Sequence, residues 1–309
     1  MIWLNLLTPF PSSVQSFRRA DGWDDGILPL FPAVVPAGSG TGRRDNSVAA
    51  ELRDQQEGWM RRLILAAAAA LALTGAADAQ AVRIGTEGHY TPWNFLDQSG
   101  NVAGFEIELG NELCKRAGLE CSWVVNAWDT IIPNLLAGNY DAIMAGMAVT
   151  DERKESIDFS DNYFPLEPSR YVAAAGKSLD FGNLQGVRIG VHGGTIQSAY
   201  AEETFSSGNT IVSFESADEA VAGLKAGDVD VVLGNGSYIA GAIAGSSGAL
   251  ELVGPDVVIG GAVAIGLRKA DDELETKLNA AIGAMKQDGS LDALISKWFP
   301  DKGPGPFFE

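Results

Sequence analysis

The sequence predicts an α/β protein of two lobes, each a parallel-rich sheet flanked by helices, and the chief reason is an internal echo. Val82-Arg-Ile-Gly-Thr86 returns as Val187-Arg-Ile-Gly-Val191, a short strand pattern with an arginine in the same place. Ala137-Gly-Asn-Tyr-Asp141 returns as Ala226-Gly-Asp-Val-Asp230, in both cases a glycine turn that leads into a buried strand. Both of those strands end in small residues, Ala145-Gly146 in the first copy and Gly234-Asn235 in the second. Two strand–helix–strand units of this kind read as a structural duplication, because a solenoid would show more copies.

The elements follow in order. Val82–Thr86 runs into Glu87-Gly-His-Tyr90, a loop holding an acid and an aromatic ring. Gly104–Gly118 predicts a helix, with Ile107, Leu113, Cys114 and Ala117 on one side and Gly118 suited to a left-handed stop. Cys121–Val125 is the next strand, and Asp129 is the candidate cap of a helix over Thr130–Leu136, whose Pro133 lies near its start. Tyr140–Met144 follows as a buried strand. It opens into Ala145-Gly-Met-Ala-Val-Thr-Asp-Glu-Arg153, where Thr150 is a candidate N-cap and acidic residues fill the first turn. Near the end, 272–288 and 290–298 read as helices, with Leu274, Leu278, Ile282 and Met285 near helical spacing. Trp298-Phe299 reads as core.

Residues 60–79 have the form of a cleaved signal peptide: Met60-Arg-Arg62, the apolar run Leu63–Leu73, then small residues up to Ala79. Cleavage after Ala79 is expected, with Ala81 as the near alternative. That run is shorter than the roughly 20 apolar residues needed to span a membrane. Residues 1–59 lack sustained periodicity and are read as a non-native or disordered extension upstream of a start at Met60. The formal net charge is −18, and residues 80–309 carry 32 acidic against 15 basic side chains. Such a surface argues against nucleic acid and anionic membranes as partners. Cys114 and Cys121, both in the exported part, suggest one structural disulfide closing a small loop. Their spacing is not that of a redox pair, and too few histidines and cysteines accompany them for zinc, so neither metal nor cofactor is expected.

Ligands of open α/β sheets sit beyond the carboxyl ends of the strands. Here those ends are Glu87–Tyr90, Ala145–Arg153, His192–Gln197 and Gly234-Asn235, four loops that would meet in one cleft. Arg153 supplies a planar fork for a carboxylate, worth roughly 1.5–3 kcal/mol per charge-assisted bond; a surface ion pair with Glu152 or Asp158 is the plain alternative. Ala145, Gly146 and Ala148 are small enough for a ligand to approach the backbone. Glu87, Tyr90 and Trp128 combine a negative charge with flat faces, which suits a cationic group. His192-Gly-Gly-Thr195 precedes a helix and lacks the lysine of a nucleotide loop, but it could hold an anion at the helix start. No nucleophile elbow, metal signature or carboxylate pair appears, so no enzyme is implied.

The region from residue 80 onward resembles, along nearly its full length, the periplasmic polar amino-acid binding proteins of ABC transporters. The branch is that of lysine/arginine/ornithine, arginine and opine binders. The residues that carry it are Ile84-Gly-Thr-Glu-Gly-His-Tyr90, Gly104-Phe-Glu-Ile-Glu-Leu-Gly110, Cys114-Lys-Arg, Cys121, Trp128-Asp-Thr-Ile-Ile-Pro133, Asp141-Ala-Ile-Met-Ala-Gly-Met147, Thr150-Asp-Glu-Arg153 and Asp288-Gly. The resemblance implies the type II periplasmic binding protein fold, with lobe 1 over 80–166 and 262–309 and lobe 2 over 167–261. Two hinge segments, near Phe164–Ser169 and Asp256–Ala262, would close the lobes over one ligand. It further implies a monomer serving an ABC permease of the inner membrane. Arg153 would clamp the ligand α-carboxylate, helped by amides near Ala148 and Ile196. Glu87 and Tyr90 would face the far end of the side chain, with Trp128 stacked along it and His192 and Gln197 completing the pocket. Asn235 stands where relatives usually carry an aspartate for the α-ammonium, and Ile196 where many carry a hydroxyl. Both departures point to a substituted α-nitrogen, as in opines. A periplasmic dehydratase on the same fold is the competing reading.

Overall fold

The computed structural model describes residues 80–308, which lie in one compact unit. The expected signal peptide and the stretch before it lie outside the described residues. Strand β1 (Gln80–Thr86) leads into a small antiparallel meander, β2 (His89–Tyr90), β3 (Asn94–Leu96) and β4 (Val102–Ala103). Then come α1 (Phe105–Ala117), β5 (Leu119–Val125), a 3-10 turn at Trp128–Thr130, α2 (Ile131–Leu136), β6 (Ala142–Ile143), α3 (Asp151–Lys154) and β7 (Asp158–Phe164). The second lobe holds β8 (Ser169–Ala174), β9 (Arg188–His192), α4 (Ile196–Phe205), β10 (Thr210–Phe214), α5 (Ala217–Ala226), β11 (Val231–Asn235), α6 (Gly236–Ala244) and β12 (Leu250–Val257). The chain then returns to the first lobe as β13 (Val263–Leu267), α7 (Asp272–Gln287) and α8 (Ser290–Trp298).

Each lobe is built on a five-stranded sheet, ordered β5-β1-β6-β13-β7 in one and β10-β9-β11-β8-β12 in the other. In both, the first three strands are parallel and the last two are added antiparallel. The chain passes from one sheet to the other between Phe164 and Ser169, and back between Val257 and Val263. Parallel strands require helical crossovers, which cover both faces of the sheet. In the first lobe Phe105, Leu109, Leu113, Leu278, Ile282 and Ile295 pack on one face, and Ile131, Leu135 and Tyr140 on the other. Each such side chain, fully buried, contributes roughly 1.5–3 kcal/mol.

Helix α1 ends as its sequence predicts: Gly118 takes φ 66° and its N–H returns to the Cys114 and Lys115 carbonyls. One residue further on, the chain turns into β5, and the Cys114–Cys121 disulfide ties helix to strand with 6.1 Å between Cα atoms. Thr150 caps α3 by accepting the Arg153 N–H at 3.1 Å. Asp129 does not cap α2. The 3-10 turn runs straight into that helix without a side-chain cap, and the Asp129 carboxylate lies instead beside Gly194 of the other lobe. The strand expected over Tyr140–Met144 is narrower in its ladder, Ala142–Ile143. Tyr140 is buried beneath it, with its hydroxyl donating to the Ile131 carbonyl.

Candidate functional site

The carboxyl ends of β1, β6, β9 and β11 meet in a cavity of about 820 Å³, mouth included. Glu87, Tyr90, Trp128, Ala145, Gly146, Ala148, Arg153, His192, Ile196, Gln197 and Asn235 all line it. The first seven come from the first lobe and the last four from the second, so the cavity lies between two similar halves. The two lobes touch across it. The Tyr90 ring stacks on Tyr238 of α6 with centroids 5.0 Å apart, and the Trp128 indole N–H donates to the Gly194 carbonyl at 3.1 Å.

Arg153 forms no ion pair among the described residues, with Glu152 and Asp158 included. Its Nη1 donates to the Ala148 carbonyl at 2.8 Å, and its guanidinium carbon lies 5.2 Å from the centre of the Trp128 ring. Those contacts orient the fork and leave donors over. Burial, only partly offset by the charge of Glu152, lowers the guanidinium to about 10, so the group stays charged at neutral pH without a direct ion pair among the described residues. Thr195 caps α4 by accepting the Ser198 N–H, and the start of that helix, at Thr195, Ile196 and Gln197, lines the same cavity. A cation and a helix start together suit an anion such as a carboxylate.

Glu87 is 4 % exposed and its Oε1 has no hydrogen-bond partner. Burial, reinforced by the nearby charges of Asp218, Glu106 and Asp129, raises its carboxyl to about 8. His192 Nε2 lies 3.8 Å from that oxygen and is equally without a partner; burial lowers its imidazole. The Trp128 ring lies 5.2 Å from the Arg153 guanidinium carbon and 5.9 Å from the His192 ring.

Not every expected contact is free. The Gly146 amide is taken by the buried Glu106 carboxylate at 2.7 Å. Gly146 instead provides space: it sits at φ 62°, and a Cβ there would lie 2.7 Å from the Tyr90 ring. Asn235 caps α6, its Oδ1 accepting the Tyr238 N–H at 3.1 Å. Gln197 donates to Ser169 Oγ at 2.9 Å. Sequence reading missed two lining residues of weight. Glu167 is held by the Ser237 N–H and hydroxyl and by Lys302, while Tyr238 completes the aromatic stack. The only sequence signal for Tyr238 was its place one turn after Asn235. Glu167 had none, because its partners come from residues 237 and 302.

The profile of the bacterial extracellular solute-binding proteins, family 3, matches residues 82–301. The lysine/arginine/ornithine-binding periplasmic protein of Escherichia coli K12 is 36% identical over 260 residues, covering 78% of this chain and 97% of its own. The octopine-binding periplasmic protein of Rhizobium meliloti is 32% identical, again covering 78% of this chain and 97% of its own. A crystal structure of a periplasmic His/Glu/Gln/Arg/opine family-binding protein from Silicibacter pomeroyi, in complex with lysine, is 50% identical. It superposes with a TM-score of 0.66 over 71% of this chain and 96% of that one.

Proposed function

The chain belongs to the bacterial extracellular solute-binding proteins, family 3, and on that premise we propose that it captures a basic amino acid, or an opine-type derivative of one, and hands it to an ABC importer. The fold and the relatives speak for binding rather than catalysis. One observation carries the ligand class. One cavity between the lobes is lined by an unpaired guanidinium, Arg153, an unpartnered acid, Glu87, and the Trp128 ring, which lies 5.2 Å from the guanidinium carbon. A zwitterion with a cationic tail matches that set: the carboxylate on Arg153 and the α4 amides, the apolar stem along Trp128, the cationic end at Glu87.

The α-nitrogen is where the opine reading gains support. Asn235 already gives its oxygen to the helix cap, and Glu167 is committed to Ser237 and Lys302. What Asn235 still offers is its amide N–H pair, which serves an acceptor better than an ammonium. A second carboxylate on the α-nitrogen would be such an acceptor. Calorimetric titration with lysine, arginine, ornithine, octopine and nopaline tests both halves of the reading. Binding of any of them supports the class, and a preference for a free amino acid over both opines rejects the opine half. A dehydratase on the same fold is the weaker reading, since the relatives above are binding proteins. Incubation with prephenate or arogenate should leave product absorbance flat.

A further inference from the structure

Two polar atoms on the cavity wall have no hydrogen-bond partner within the protein. Glu87 Oε1 and His192 Nε2 are buried, lack hydrogen-bond partners, and stand 3.8 Å apart. That distance is too long for a hydrogen bond between them and short enough for one ligand group to touch both. They come from opposite lobes, so they are brought together only when the cavity is formed.

We propose, on the footing of the binding function above, that Glu87 and His192 together read the charge at the ligand's far end: the empty cavity keeps a proton on Glu87, a ligand ending in a cation displaces it, a ligand ending in a neutral amide leaves it in place, and His192 accepts an N–H from either.

The surroundings fix where the proton resides. Glu87 is faced by Asp218 from α5, Glu106 from α1 and Asp129 from the 3-10 turn, and by the phenols of Tyr90 and Tyr238. None of these is a cation, and burial adds to their effect, so the carboxyl holds its proton up to about pH 8. His192 sees Asp129 and Glu219, and its imidazole also bonds the Glu215 backbone; burial outweighs all three and keeps the ring neutral at pH 7. With one ring nitrogen engaged on Glu215, Nε2 presents a lone pair to the cavity.

Consider lysine first. Its ammonium arrives charged, the Glu87 O–H bond breaks, the proton goes to solvent, and the carboxylate pairs with the ammonium while Nε2 accepts a second N–H. With glutamine, the Glu87 hydroxyl donates to the amide carbonyl, Nε2 accepts an amide N–H, and no proton leaves. Linkage gives the consequence. Lysine affinity should climb close to tenfold per pH unit between pH 6 and 7 and flatten above about 8, whereas glutamine affinity should stay level between pH 6 and 7 and fall above about 8, where Glu87 loses the proton it donates.

The test is calorimetry at pH 6.5 in two buffers of different ionisation enthalpy, with lysine and with glutamine. Close to one proton released per lysine and none per glutamine is the expected result, with Glu87→Gln abolishing the release. His192→Leu should keep the release with lysine and weaken glutamine several-fold. No release with lysine, or the same release from Glu87→Gln, overturns the proposal. A carboxyl-carbon NMR titration of the ligand-free protein adds a readout independent of any ligand. A Glu87 midpoint above 6 supports the stored proton, and a midpoint in the ordinary carboxylate range overturns it. If Glu87 titrates high but neither amino acid binds, the failure lies with the ligand class and the displacement step falls with it.

Discussion

Arg83 in the first lobe and Arg188 in the second make nearly the same bonds. Arg83 reaches Asp141 through its backbone N–H, Nε and Nη2, and the carbonyls of Gly138 and Asn139. Arg188 reaches Asp230 through the same three groups, and the carbonyls of Gly227 and Asp228. In both lobes the arginine lies on the second strand of the sheet and the aspartate immediately precedes its parallel neighbour, so the clamp ties the two strands together where that neighbour begins. At the carboxyl ends the likeness stops. β1 is followed by Glu87 and Tyr90, while β9 ends at His192; β6 leads to Arg153, while β11 ends at Asn235. The comparison separates what a duplicated sheet needs in order to fold from what an asymmetric ligand needs in order to be held. Under the proposed function, one lobe supplies the charges that would grip and the other the neutral polar groups and the helix start that would orient.

The largest effect should come from the gripping lobe. Arg153→Ala removes charge-assisted bonds worth roughly 1.5–3 kcal/mol each. Affinity for whichever ligand the titrations identify should fall by at least about 100-fold. The melting temperature should hold or rise, because an uncompensated buried cation is relieved. Isothermal titration and thermal melting read the two together. Intact affinity would remove this arginine from the account of the site.

Next in size is the Cys114–Cys121 link, which exists in the first lobe alone. It closes a short loop between α1 and β5, and neither cysteine lines the cavity. Replacing both cysteines by serine should cost about 2–3 kcal/mol of stability through the unfolded chain's entropy. Ligand affinity should change less than twofold. A larger loss of affinity than of stability would mean that the link shapes the cavity.

The clamps themselves give a smaller and more symmetrical effect. Hydrogen bonding to Arg188 holds the Asp230 carboxyl well below the ordinary range. At Asp141 burial pulls the other way, and the bonds from Arg83 and Arg268 still leave it lowered. A carboxylate depressed on folding stabilises above its unfolded value near 4, and that contribution is lost as pH falls through the folded one. Because the partner arginines are about half exposed, Asp230→Asn and Asp141→Asn should each cost only about 1–2 kcal/mol at pH 7. The cost should shrink toward acid pH, followed by denaturant unfolding at pH 7 and pH 3. Unequal costs would show how much the extra Arg268 bond adds to the first lobe.

How much of this was legible beforehand follows the same division. The repeated segments that carry the clamps could be read because they recur in sequence, although the Arg–Asp pairing within them was not read, and Gly118 and Thr150 could be read because a helix end is decided by neighbours within four residues. The antiparallel strands β7, β8, β12 and β13, and the meander β2–β4, were missed. They are short or irregular, and their partners lie tens of residues away, as in the pairing of Val263 with Phe164. Asp129 was misread as a cap because local rules do not see Gly194 across the cavity. The site was traceable where it lies at strand ends, from Glu87 to Asn235. It was opaque where a residue's role is fixed by a distant partner, as with Glu167 and Lys302.

The smallest predicted effect is the most discriminating. Asn235→Asp keeps the cap on α6, since either side chain accepts the Tyr238 N–H. Stability should therefore move by less than about 0.5 kcal/mol. What changes is the charge presented to the ligand's nitrogen. An aspartate would favour a primary ammonium and repel a second carboxylate, each by about 1 kcal/mol at the effective dielectric of a partly open site. The ratio of affinities for arginine over octopine should rise by roughly tenfold or more, read by paired titrations on the two proteins. An unchanged ratio would mean that the second lobe does not sense the α-nitrogen through this residue. The asymmetry between the lobes would then rest on His192 and the start of α4 alone.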